Sequence, residues 1–406
     1  MNEQAQPDPQ AGDRATRSGD GSCVLQVVPA LETGGGGAER STIDVAAALM
    51  ARGHRAVVAS TGGQLVRELD RTGARHLAMP VAAKNPFVMR ANVERICHAI
   101  DEFAVDLVHA RSRAPAWSAL AAAHRSGVPF VTTFHGTYTF KGPLKRWYNS
   151  VMTRGDLVIA NSRFIADHVV ANYQLAAERI RIIPRGVDLE LFSPERVSPE
   201  RVIALSRQWN VRDDTLVVML PARLVRWKGH VVLLEALARL RPENAVCLLV
   251  GAEGGRDRYR RELEARITRT GLSNIVHLTG HCRDMPAALM LADVVVSAST
   301  EPEAFGRVIA EAQAMGCPVI VADHGGGAEQ VRGSGVGWLF PPGDAAGLAS
   351  ALEEALRLGR EERERISVLS TAHVKEHYTK ERMCAATLDV YDEVLARHRG
   401  PAASAP

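Results

Sequence analysis

Four short motifs in this chain combine residue types and spacings that could do chemistry. The segment Pro221-Ala-Arg223-Leu-Val-Arg226-Trp-Lys228-Gly229 places Arg223 and Lys228 directly after an apolar run. Arginine offers a planar fork of donors and lysine a compact point charge, a pair that suits a diphosphate. As isolated charges they would serve equally as a solvated basic turn; a strand end favours the anion. The segment Glu301-Pro-Glu303-Ala304-Phe305-Gly306-Arg-Val-Ile-Ala-Glu311 carries two carboxylates in a Glu-x7-Glu spacing. The spacing predicts a helix starting near Gly306, with Glu303 in the loop before it and Glu311 more than a turn inside. Both carboxylates can then line one ligand, and the open N–H groups around Phe305 and Arg307 can hold phosphate. Glu311 sits within Val-Ile-Ala-Glu-Ala, where an unpaired carboxylate is costly, so a solvated helix edge is rejected. Thr133-Phe134-His135-Gly136 ends another apolar run. A lone histidine is more often structural than catalytic, but a strand end followed by glycine puts this one at a cleft. Gly34-Gly35-Gly36-Gly37 follows the first apolar run and opens a helical pattern. Such a loop lets backbone approach a ligand, although it matches neither a dinucleotide fingerprint nor a phosphate loop with Lys-Ser/Thr.

These motifs need elements to hold them, and the chain supplies strands and helices in alternation. Strands are expected at 24–28, 56–59, 75–79, 105–109, 128–133, 157–160 and 180–183, with a first helix from about Ala38 to Ala51. Pro184–Asn210, rich in proline and charge, interrupts the pattern and reads as the connection between domains, with a short helix near its end. The alternation restarts with strands at 215–220, 245–250, 275–278, 293–297 and 318–321 and a helix over 229–240. The last helices occupy about 345–397. The expected class is therefore α/β, two doubly wound parallel sheets in tandem over 23–187 and 188–378. If their strand ends face each other, the four motifs gather in an interdomain cleft.

Composition narrows the class of molecule. The chain has 406 residues, 46% apolar and 23% charged, with a net charge of +3. That is the balance of a soluble globular protein and gives no reason to expect a nucleic-acid partner. No apolar run approaches the roughly 18 residues of a membrane-spanning helix. The six cysteines are scattered, without a Cys-x-x-Cys pair, as expected for reduced, packed thiols in the cytoplasm. Residues 1–22 read as a disordered lead-in without a secretory signal, and 399–406 as a loose tail.

The ordered set of Gly-rich loop, His135-Gly136, Ile183-Pro-Arg-Gly-Val-Asp188 with Phe192, Arg223 with Lys228-Gly229, and Glu303-x7-Glu311 resembles the retaining GT-B glycosyltransferases of the "group 1" family. The resemblance spans about 22–398, and within the family the chain is similar to lipopolysaccharide core and lipid-linked sugar transferases. It implies two Rossmann-like domains facing a cleft, acceptor bound by the first and nucleotide-sugar by the second. It implies that a last helix, about 379–398, packs back on the first domain. By the same resemblance Arg223 and Lys228 hold the donor diphosphate, Glu311 the ribose, and Glu303 the transferred sugar. Gly35 and Gly36 support the phosphates, the stretch Gly280–Arg283 flanks the base, Ala304, Phe305 and Gly306 line the donor, and His135 lies near the reacting centre. Arg185 stands where many members have asparagine.

The chemistry expected is transfer with retention, by front-face attack, with no metal and no cofactor. Cations and a helix N-terminus would stabilise the leaving diphosphate, and no Asp-x-Asp pair is present. For the acceptor, Arg111 and Arg113 form one basic patch near Trp117. Lys141, Lys145 and Arg146, with Phe140, Trp147, Tyr148 and Arg154, form another. The second suits an anionic membrane surface or a phosphorylated lipid saccharide, and equally a solvated helix face. The expected place of work is the cytosolic face of the inner membrane. The alternatives are a soluble transferase making a small glycoside or glucan, and a silent nucleotide-sugar-binding protein.

Overall fold

Runs of Val, Ile, Leu and Ala that would expose backbone and apolar side chains alike pair here into two parallel sheets. The computed structural model describes residues 21–32, 37–138, 142–252, 255 and 257–399. The expected lead-in falls outside them save its last two residues, and the expected tail save Arg399. The first sheet holds β1 (Cys23–Val27), β2 (Arg55–Ser60), β3 (Arg75–Ala78), β4 (Leu107–Ala110), β5 (Phe130–Phe134), β6 (Leu157–Ala160) and β7 (Ile180–Ile182), in the order β3-β2-β1-β4-β5-β6-β7. The second holds β8 (Leu216–Pro221), β9 (Ala245–Val250), β10 (Val276–Gly280), β11 (Val294–Ser297), β12 (Val319–Ala322) and β13 (Trp338–Phe340), in the order β10-β9-β8-β11-β12-β13. Strand order reverses beside β1 in one sheet and beside β8 in the other. Those switch points are where a doubly wound sheet opens a crevice at its carboxyl end.

Every residue of β1, β4, β5 and β6 is buried, which explains their unbroken apolar runs: helices cover both faces of each sheet. Each fully buried leucine or isoleucine contributes roughly 2 kcal/mol of transfer free energy. The polar exception in β4 is His109. Its Nδ1 lies 2.7 Å from the Tyr391 hydroxyl and its Nε2 2.7 Å from Thr133 Oγ1. Burial, reinforced by Arg111 and Arg185, holds its pKa well below the usual histidine value, so it is neutral.

Two elements go beyond the sequence expectation. β13 is only three residues long, too short for a period to register. A helix spans Gly325–Ser334 although it opens with three glycines, poor helix formers that the sequence reading did not single out. Tertiary packing explains it: a Cβ at Gly326 would stand 2.2 Å from the Ala304 carbonyl oxygen.

The chain crosses between the sheets twice at one place. Val187 N–H donates to the Tyr378 carbonyl (2.7 Å), and Lys380 N–H donates back to the Val187 carbonyl (2.9 Å). Gly186 has no room for a side chain there, because a Cβ would stand 2.4 Å from Lys380 Cα. Lys380 Nζ pairs with Asp188 at 2.8 Å. The final helix, Lys380–Arg399, then returns to the first unit. Its Met383, Leu388, Tyr391 and Val394 share a core with Ile43, Val45, Ala46 and Leu49 of the helix Gly37–Ala51.

Candidate functional site

A cavity of about 780 Å³ lies between the two sheets' carboxyl ends. Its first wall carries Gly37, Ala38, His135, Gly136, Asn161 and Arg185, from loops that follow β1, β5, β6 and β7. Its second wall carries Arg223, Trp227, Lys228, His281 and the run from Glu301 to Val308 with Glu311.

The turn after β8 delivers the cations. Residues Arg226–Lys228 form a 3₁₀ turn, and Gly229 has φ +73°. A Cβ on Gly229 would stand 1.7 Å from the Ala298 carbonyl oxygen, so only glycine lets this turn lie against the end of β11. Thr300 N–H donates to the Trp227 carbonyl at 2.7 Å and closes the same seam. Lys228 Nζ consequently lies 2.7 Å from Glu303 Oε2. Glu303 Oε1 accepts from Ser299 Oγ (2.6 Å) and Ser297 Oγ (3.2 Å). Burial alone would raise the Glu303 pKa, but Lys228 and the two serines outweigh it and hold the carboxyl below its usual range.

The loop 303–306 is set by glycines on both sides. Gly306 has φ +81° and precedes the helix Arg307–Ala314. Behind it, Gly326 N–H donates to the Glu303 carbonyl at 2.8 Å. Gln330 Nε2 donates to the carbonyls of Phe305 and Gly306. The triple glycine and Gln330 are supports the sequence reading passed over; the signal was three consecutive glycines directly after a strand, β12. Glu311 sits where the Glu-x7-Glu spacing puts it, and Arg307 Nη2 pairs with it at 2.8 Å. Burial raises its pKa, against the pull of Arg307.

On the first wall, His135 Nδ1 accepts from Arg185 Nη2. A guanidinium can only donate, so Nδ1 carries the lone pair and the ring's proton is on Nε2. Nε2 is shut off from solvent without a partner. Burial, followed by Arg185 and Arg111, holds the pKa well below the usual value. His135 therefore lines the cavity as a neutral ring.

The cleft is drawn together at its rim. The Glu329 carboxylate, from the second unit, accepts from Arg163 N–H (3.1 Å) and Phe164 N–H (2.5 Å), which open the helix Arg163–Tyr173 of the first. A Cβ at Gly37 would stand 2.9 Å from Arg307 Cδ.

The sequence-derived set divides as follows. His135, Arg223, Lys228, Glu303, Ala304, Phe305, Gly306 and Glu311 line one cavity. Gly35, Gly36 and Lys141 lie outside the described residues. Of the stretch Gly280–Arg283, His281 and Cys282 line it and the two end residues do not. Arg111 and Arg113 do not line it, and they do not form an exposed patch. Arg111 is buried, donating to Gln26 Oε1 (2.8 Å) and Ser41 Oγ (3.2 Å), because it fills the space beneath β4's end. Arg113 is turned inward, donating to Asn149 Oδ1 (2.8 Å) with its guanidinium 4.1 Å over the Tyr138 ring. Lys145 and Arg146 are exposed, away from the cavity, and Arg146 Nη2 donates to the Asn172 carbonyl at 2.7 Å. Trp227, whose ring centre is 4.5 Å from Lys228 Nζ, and Asn161 are cavity residues the sequence reading did not single out.

Comparison with known proteins follows this geometry. Residues 35–191 match the family model Glycosyltransferase Family 4, and residues 203–368 match Glycosyl transferases group 1. A D-inositol 3-phosphate glycosyltransferase of Xylanimonas cellulosilytica is 30% identical over 325 residues, covering 76% of each chain. The crystal structure of a glycosyltransferase from Rickettsia africae is 34% identical, with TM-score 0.86 over 93% of this chain and 99% of that one. The structure of Anabaena HepE in complex with UDP and glucose is 26% identical, with TM-score 0.78 over 91% and 99%.

Proposed function

The chain belongs to the group 1 glycosyltransferases, and from that premise we propose that it moves a hexose from a nucleoside-diphospho-sugar to a lipid-linked or lipopolysaccharide-core-type saccharide, retaining anomeric configuration and needing no metal. The observation that carries this reading is the convergence of Arg223, Lys228, Glu303 and Glu311 in one cavity with His135 opposite.

In this reading Arg223 and Lys228 take the diphosphate. Glu311 binds the ribose and Glu303 the transferred sugar, through hydroxyls. Breaking the sugar–phosphate bond builds negative charge on the leaving oxygen. The two cations, Lys228 already held by Glu303, stabilise that charge together with the open N–H groups ahead of Arg307. Both oxygens of Glu303 are already hydrogen-bonded, which suits a carboxylate that orients hydroxyls rather than one that attacks carbon. Front-face attack by the acceptor hydroxyl, with its proton passing to the leaving phosphate, balances the reaction without a protein nucleophile. The contacts from Glu329 across the rim support closure, which keeps water from the donor.

The complex of HepE with UDP and glucose supports trying uridine donors first. A lipid-borne acceptor is supported by an apolar edge on the helix Pro143–Asn149 of the first unit: Leu144 and Trp147 are 82% and 56% exposed, with Lys145 and Arg146 between them. Among the described residues no helix is long and apolar enough to cross a membrane. The test is calorimetric titration with UDP and GDP, followed by release of nucleotide from the matching sugar donors with lipid-linked and soluble saccharides. Tight binding with acceptor-dependent release is the expected result. Binding without any release would point to a silent binder, and binding of neither nucleotide would remove the donor site.

A further inference from the structure

Two guanidinium groups at the first wall of the cleft have no ion-pair partner among the described residues. Arg185 is 7% exposed and Arg111 2%. Arg185 donates to Ser41 Oγ (2.7 Å) and His135 Nδ1. Arg111 donates to Gln26 Oε1 and to the same Ser41 oxygen, the Tyr391 hydroxyl lies against it, and its Nη2 is buried with no close hydrogen-bond partner among the described residues. All of these acceptors are neutral. Asp44 and Glu39 act on Arg185 only through space. Arg307, the third guanidinium nearby, already has Glu311. Removing two like charges from water with no counter-charge bonded to them is costly. Burial, then repulsion by Arg111 and Arg307, pushes the Arg185 pKa down to about 9.

The cluster faces the cleft rather than a sealed core. Arg185 lines the cavity beside His135 and Gly37, and a Cβ at Gly37 would stand 3.8 Å from its Nε. It belongs to the wall opposite Arg223 and Lys228. We propose that Arg185, with Arg111 behind it, forms an anion subsite for a carboxylate or phosphate carried by a saccharide substrate, separate from the donor diphosphate. The inference rests on the glycosyltransferase reading of this cleft. The shared chemistry is a planar fork meeting a bidentate oxyanion. Its source is either a carboxylate on the transferred sugar or a phosphate on the acceptor.

The probe is inorganic phosphate, titrated by calorimetry into full-length protein saturated with UDP, or with GDP if that is the nucleotide bound. Phosphate is expected to bind the nucleotide-loaded wild type. Arg185→Asn places at this position the residue many group 1 members carry, and is expected to weaken phosphate at least 10-fold while nucleotide affinity stays within 2-fold. Arg185→Lys keeps the charge without the fork and should fall between; it stands in if the asparagine variant does not fold. Turnover then identifies the source. A 10-fold loss of preference for a UDP-uronate over UDP-glucose in R185N assigns the donor sugar, and the same loss for a phosphorylated over a dephosphorylated acceptor assigns the acceptor. Three results overturn the proposal: no phosphate binding to nucleotide-loaded protein, equal phosphate binding by R185N, or nucleotide weakened as much as phosphate. If neither nucleotide binds wild type, the functional reading fails on its own, and phosphate titrated without nucleotide still reports on Arg185.

Discussion

Lys228 Nζ and Glu303 Oε2 are 2.7 Å apart, so the cation assigned to the diphosphate and the carboxylate assigned to the sugar are joined directly to each other. The pair is largely buried, with 15% and 14% of the two side chains exposed. Lys228 helps hold the Glu303 carboxylate charged, each side chain keeps the other in place, and a substrate spanning both would find them already oriented. Lys228→Ala should lower kcat on the order of 100-fold by removing leaving-group stabilisation. Steady-state kinetics on folded protein checks this, and unchanged turnover would remove Lys228 from the chemistry.

Glycine at 229 is what brings that lysine to the carboxylate. Gly229→Ala would drive a methyl into the Ala298 carbonyl at a positive φ. The expected cost is at least about 3 kcal/mol, read as a fall in the urea midpoint. A stability within 1 kcal/mol of wild type, taken as roughly the limit for a benign surface change, would show that the turn has another way to lie.

Acidity should act on this fold in two opposed ways. Glu303 and Asp188 are held below the usual carboxylate range, against the effect of burial, by Lys228 and Lys380 respectively. Their contribution is present above the ordinary carboxylate value and is lost as the pH falls through the lowered ones. Asp44 runs the other way. Burial, against the attraction of Arg40, Lys380 and Arg307, raises it to about 6 from 3.8. The folded state therefore gives up stability as the pH rises from about 4 through 6. Asp44→Asn should be more stable than wild type at about pH 8, by roughly 1–2 kcal/mol after screening, with the gap closing near pH 4. Thermal melts at the two pH values decide it; a variant less stable at pH 8 contradicts the assignment.

Closure depends on a carboxylate that never touches the cavity. Glu329→Ala removes the acceptor for two N–H groups of the opposing unit, a loss of about 1–2 kcal/mol for the closed form. The donor KM should rise several-fold, with little change in the melting temperature. Small-angle scattering should show a larger radius of gyration, and an unchanged radius together with unchanged KM would dismiss the latch.

The apolar edge offers a direct check of the membrane reading. Trp147→Ser combined with Lys145→Ala should cut cosedimentation with vesicles containing anionic lipid at least 3-fold, while turnover on a soluble acceptor persists. Equal cosedimentation by wild type and variant would leave the edge without a lipid role.

Much of this architecture was legible in the sequence because buried parallel strands leave unbroken apolar runs and glycines punctuate their ends. Glu303 and Glu311 were legible for a related reason: a carboxylate amid Val, Ile and Ala has to be partnered. The partner itself was not. Arg307 lies a helical turn from Glu311, and only the fold shows their side chains meeting. The burial of Arg111 was not legible because a basic residue after a strand reads the same whether it faces solvent or fills the space under a sheet end. The helix opening with Gly325 was hidden because its glycines satisfy contacts with Glu303 and Ala304, which lie far away in the chain. The tautomer of His135 was equally beyond reach, since it depends on Arg185 arriving from another strand.

The return of the helix Lys380–Arg399 to the first unit has a consequence for synthesis. The ribosome makes the face Ile43, Val45, Ala46 and Leu49 early and its cover last. The second sheet, contained between the two crossings, can complete itself while that face still waits. The first unit is therefore the last to finish, and a nascent chain stalled shortly before Lys380 would present an apolar surface to whatever holds unfinished proteins.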